Sequence, residues 1–145
     1  MAISFLQLER LGPVRAALVV PANGALVFDT TVSSAGTQIS YDPVAGTIIL
    51  HEAGPYYLDW YVAPYFGLTT DGSNWAVRTT LSQRTFIGSS HAKIAVTTGF
   101  AILTAAAGET VQLVNVSDGP IHLSPFVKSK AGIVAYSVGA QPAAP

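Results

Sequence analysis

Residues able to do chemistry at fixed spacing are few in this chain. The three histidines, His51, His91 and His122, lie far apart in sequence. A zinc centre usually announces itself by two ligands a few residues apart, and none of the three has such a neighbour. There is no cysteine, which excludes disulfides and thiolate metal sites. Serines are plentiful, but no Gly-x-Ser-x-Gly elbow occurs, and Ile87-Gly88-Ser89-Ser90-His91 lacks the second glycine and reads as a turn. Nothing in the order of residues sets a nucleophile beside a base, so no catalytic residue, resident metal or cofactor is expected. Asp71-Gly72-Ser73-Asn74 gathers oxygen ligands at short spacing without the twelve-residue calcium loop and its closing glutamate. A turn is expected there, with calcium as the alternative. Asn115-Val116-Ser117 matches the N-glycosylation sequon, inside an expected strand.

The side chains best suited to specific contact are aromatic. In Tyr56-Tyr57-Leu58-Asp59-Trp60-Tyr61-Val62, the two-residue period of a strand puts Tyr57, Asp59 and Tyr61 on one face and Tyr56, Leu58, Trp60 and Val62 on the other. The second set is apolar and suits the space between two sheets. The first is aromatic and carries one charge, which fits either a solvent face or an interface between copies. Tyr65, Phe66 and Trp75 flank the polar loop over 67–74 and are the candidates for a ligand groove on the loops.

Elements that could hold these side chains are short and numerous. About ten strand-like runs, separated by turn signals every eight to twelve residues or so, predict an all-β, antiparallel jelly-roll sandwich. The stretch 97–116 predicts a long hairpin: Phe100 to Thr104 is apolar almost throughout, as in a strand covered on both faces, and Val111 and Leu113 alternate with Thr110, Gln112 and Val114. Residues 1–16 are expected to form an arm, with a short helix or extended segment over 3–11 ended by Gly12-Pro13, dispensable for folding. The domain is expected over 17–139 and a flexible tail over 140–145.

Composition narrows the partners. With 145 residues, one domain is expected. Half of the residues are hydrophobic and 10% are charged, against about a quarter in ordinary soluble domains. So little charge predicts an exterior partly buried in an oligomer, or one built for a robust extracellular layer. A net charge of −1 argues against nucleic acid, which needs a basic face. No run of about 18 apolar residues predicts a membrane span, and Glu9 and Arg10 interrupt the apolar start too early for a secretory signal.

Gly99-Phe100-Ala101-Ile102-Leu103-Thr104, then Ala107-Gly108-Glu109, then Val111-Gln112-Leu113-Val114-Asn115, resembles the C-terminal domain of BclA-type collagen-like glycoproteins, which coat the exosporium of bacterial spores. Tyr41-Asp42, Ala45-Gly46-Thr47-Ile48 and Ala53-Gly54-Pro55-Tyr56-Tyr57 are similar to a recurrent run of the same superfamily, the tumour-necrosis-factor and complement-head jelly rolls. The resemblance covers roughly 17–139. It implies a homotrimer in which the strand bearing Tyr57, Asp59 and Tyr61 faces the three-fold axis, with Tyr136 of the closing strand beside them. It further implies a non-enzymatic module of the spore surface, in exosporium or coat, that presents itself to other surface proteins or glycans. There is no Gly-X-Y tract, so either the chain is a stalkless relative or a stalk lies outside this sequence. The alternative is a soluble recognition head, lectin-like or receptor-binding, such as a phage fibre tip.

Overall fold

The computed structural model describes residues 3–16, 18–92 and 94–138; the tail expected over 140–145 lies outside them. The described residues hold thirteen strands and no helix. One five-stranded sheet runs β10 (Thr97–Ala105), β6 (Gly54–Val62), β13 (Ala131–Ser137), β1 (Phe5–Arg10), β3 (Thr30–Ala35). The second runs β4 (Ile39–Asp42), β5 (Thr47–Leu50), β11 (Glu109–Asn115), β8 (Ser73–Thr79), β9 (Thr85–Ser90). Three short strands, β2 (Leu18–Val20), β12 (Ile121–Leu123) and β7 (Pro64–Gly67), make a small third sheet. Every pairing is antiparallel. This is the expected jelly-roll sandwich.

Alternation builds the core. Inward rows of the first sheet run Leu6–Ala135–Leu58–Ala101 and Leu8–Ile133–Trp60–Gly99, large residues beside small ones. They meet Ile48, Leu50, Trp75, Val77, Val111 and Leu113 of the second sheet in one buried cluster. At Gly99 a Cβ would collide with the Trp60 ring, so only glycine lets that indole lie under β10.

Two expectations are corrected. The hairpin over 97–116 does not form: β10 pairs with β6 in the first sheet, while β11 pairs with β5 and β8 in the second. The connection over 106–108 therefore crosses from one sheet to the other, as jelly rolls do instead of closing locally. Nor is β10 covered on both faces, since Phe100 and Ile102 are 64% and 65% exposed. The second correction concerns the arm expected over 1–16. Phe5–Arg10 is a strand between β13 and β3, with Leu6 and Leu8 in the core. Asp29 fastens the residues that follow, accepting the backbone N–H of Leu11 and of Gly12 at 2.9 Å each.

Candidate functional site

The outer face of the first sheet brings together four of the side chains singled out above, and the register says how. Across β1, β13, β6 and β10, outward residues fall into three rows: Phe5–Tyr136–Tyr57–Ile102, Gln7–Val134–Asp59–Phe100, and Glu9–Gly132–Tyr61–Thr98. The first row is wholly aromatic and aliphatic. The second sets one carboxylate between Val134 and Phe100. In the third, the Tyr61 ring lies across Gly132, where a Cβ would come within 2.5 Å of it.

Local contacts order this face. The rings of Tyr57 and Tyr136 sit 5.1 Å apart at 37°. The Tyr57 hydroxyl donates to Asp59 Oδ2 at 3.3 Å. Partial burial first, and the Asp59 carboxylate second, push the Tyr57 hydroxyl above its ordinary range. Tyr61 turns its hydroxyl to that of Ser129, with which it is hydrogen-bonded. Thus Tyr57, Asp59, Tyr61 and Tyr136 do share one face. Phe5, Phe100 and Ile102 belong to it as well, and sequence reasoning passed over them. The alternation of Phe100 and Ile102 with Ala101 and Leu103 was the available signal, masked because both sets are apolar.

The other candidates scatter. Trp75 was expected on a ligand loop, but it is fully buried in β8, its indole N–H donating to Ser73 Oγ at 3.1 Å. Tyr65 and Phe66 are half-exposed on β7, packed against Phe126 and His122 with ring centroids 5.2 and 4.4 Å apart. Asn115 is buried, and its amide nitrogen donates to the carbonyls of Val20 and Gly119, so this sequon offers no accessible acceptor. The Asp71 loop closes on itself, with Thr69 Oγ1 donating to the Gly72 carbonyl at 2.6 Å and Asn74 Nδ2 to the Asp71 carbonyl at 3.2 Å. Among the described residues no group of three histidines or carboxylates could hold a metal.

One pairing was not legible. Ser40 Oγ stands 2.7 Å from His51 Nε2, a nucleophile beside a base after all. Ser40 pairs with Ile49 across β4 and β5 and points away from the core, and His51 is exposed. Among the described residues no acceptor holds the other ring nitrogen of His51. An unoriented imidazole on an exposed strand pair lacks the positioning that a catalytic dyad needs.

Comparison with known proteins supports the same architecture. No protein-family model and no curated protein sequence matches the chain. Solved structures do match. The Eiger TNF of S. frugiperda covers 100% of this chain and 99% of its own, with a TM-score of 0.65 at 15% identity. Murine APRIL covers 94% and 100%, with a TM-score of 0.68 at 12% identity. The PRD1 vertex protein P5 covers 94% and 96%, with a TM-score of 0.60 at 18% identity. At these identities the likeness is one of fold: the chain is an all-β, TNF-like jelly roll.

Proposed function

We propose that the chain is a non-catalytic display head that assembles as a homotrimer through the outer face of β6, β13 and β10. The supporting observation is the aromatic and aliphatic stripe on that face. Phe100 and Ile102 are about two-thirds exposed, and Phe5 and Tyr136 are each 37% exposed beside Tyr57. Large apolar side chains contiguous across four strands mark an interaction surface in a soluble protein. With so few charges elsewhere, covering the stripe is also the direct route to solubility. Tyrosine and phenylalanine are the types enriched at interface cores.

The place of this head, in our reading, is the outer layer of a bacterial spore, exosporium or coat, where its loops meet other surface proteins or glycans. That part rests on the resemblance of residues 99–115 and 41–57 to the BclA-type domain. A second reading, a soluble recognition head, lectin-like or receptor-binding such as a phage fibre tip, is favoured by the likeness to the PRD1 vertex protein. Antibody labelling of intact spores from the source organism, beside a glycan array probed with purified protein, separates the two. Labelling at the spore surface is the expected result. Unlabelled spores with a defined glycan bound would overturn the spore reading and favour the recognition head.

A further inference from the structure

Where β1 leaves the first sheet and β13 enters it, residues 11–15 and 125–130 wall an open cavity of about 450 Å³, within the usual size of a small-molecule site. Its walls are of two kinds. Leu11, Val14 and Phe126 supply exposed apolar surface, and Arg15, Lys128 and Lys130 supply charge. Three of the chain's seven Lys and Arg residues thus gather at one cavity. Among the described residues no salt bridge joins a carboxylate to any of these three, whereas Arg10 nearby is paired with Asp29.

Lys130 sharpens the imbalance. It is 1% exposed, and its Nζ donates to the carbonyls of Ser124 at 2.7 Å and Val127 at 3.3 Å. An ammonium has three N–H groups, and the third has no acceptor among the described residues. Burying a cation without a counter-charge is costly, and an anion in the cavity would offset that cost.

Both walls are held in place before any ligand arrives. Lys130 ties the 124–130 loop from within, and the edge contact with Tyr65 holds the exposed Phe126 ring. On the other wall, Asp29 grips the Leu11 and Gly12 amides while Arg10 Nε donates to the Gly12 carbonyl at 2.7 Å. A preformed site spends little affinity on ordering.

From this we infer that the cavity binds a small apolar molecule bearing one carboxylate, of the medium-chain fatty acid class. The apolar body would lie on Leu11, Val14 and Phe126, with the carboxylate toward Arg15, Lys128 and Lys130. The inference is independent of the assembly proposed above. Calorimetric titration of the intact protein, in its native oligomeric state, with decanoate and with uncharged decanol tests it. Expected are saturable decanoate binding, decanol weaker by about ten-fold, loss of both in Phe126→Ser, and loss of the preference for decanoate in Arg15→Gln and Lys128→Gln. Lys130→Met is avoided as the sole test because it also unties the loop. Absence of saturable decanoate binding overturns the inference, as does equal binding of decanol or indifference to all three variants. So would sedimentation with phosphatidylglycerol vesicles in the absence of decanoate binding, which would point to a membrane surface instead.

Discussion

Asp59 is the one formal charge in the middle row of the outer face, and among the described residues its side-chain donor is the Tyr57 hydroxyl at a long 3.3 Å. In a trimer built on this face, three such carboxylates would gather, and like charges confined together oppose assembly. Asp59→Asn should therefore tighten the trimer, lowering its dissociation concentration by about ten-fold, roughly 1.4 kcal/mol. Tyr57→Ala removes both the donor and the ring that packs on Tyr136, and should loosen the trimer by a few kcal/mol, in the range of about 2–5 for large-to-small changes. Dissociation on dilution, followed by sedimentation velocity, reads both. A second carboxylate has a separate role. Glu109 is buried, and its oxygens accept the backbone N–H groups of Thr80, Leu81 and Ser82 at 3.0, 2.8 and 3.1 Å. Burial alone would raise its pKa, but the Leu81 and Ser82 amides, the Ser82 hydroxyl and the Thr110 amide outweigh it and hold the carboxyl below the usual range. A depressed folded pKa stabilises the protein at pH values above the ordinary glutamate range and is lost as pH falls through the folded value. Glu109→Gln should cost about 1–3 kcal/mol at neutral pH, and urea unfolding between neutral and acid pH should show that difference shrinking in acid.

At the scale of elements, β1 decides most. Leu6 and Leu8 face the core and Gln7 and Glu9 face out, so the period of a strand is written in residues 5–10. It was obscured because Gly12-Pro13 follows at once and suggests a detached arm. What makes the segment integral is its partners, β13 and β3, which come from the far end of the chain and from beyond the first turns. Such non-local pairing leaves no local trace. The same holds for β10 and β11, adjacent in sequence yet in different sheets. In contrast, the two faces of β6 were legible from alternation alone, as was the all-β class from turn spacing. The cavity cations were not, since Arg15 and Lys128 meet only through the fold. Removal of residues 1–10 should accordingly abolish the cooperative thermal transition, and Leu8→Ala should cost about 2–5 kcal/mol. Near-UV circular dichroism through a thermal melt checks both, and an unchanged melt for the truncated chain would return β1 to the status of an arm.

For the whole molecule, the balance of surface matters more than any single contact. A chain with 10% charged residues and an apolar stripe across one sheet face has two ways to stay in solution, self-association or a partner. The jelly roll supplies the frame: one sheet presents the stripe, and the loops lie at the ends of the strands. If the stripe is the assembly face, charges placed on it should separate the subunits without unfolding them, and Phe100→Asp with Ile102→Asp is the sharpest pair. The central claim is tested most directly by light scattering of the purified chain at low micromolar concentration, beside that double variant. The account predicts three times the 15.1 kDa chain mass for the wild type and a folded monomer for the variant. A wild-type mass of one chain at that concentration would contradict it.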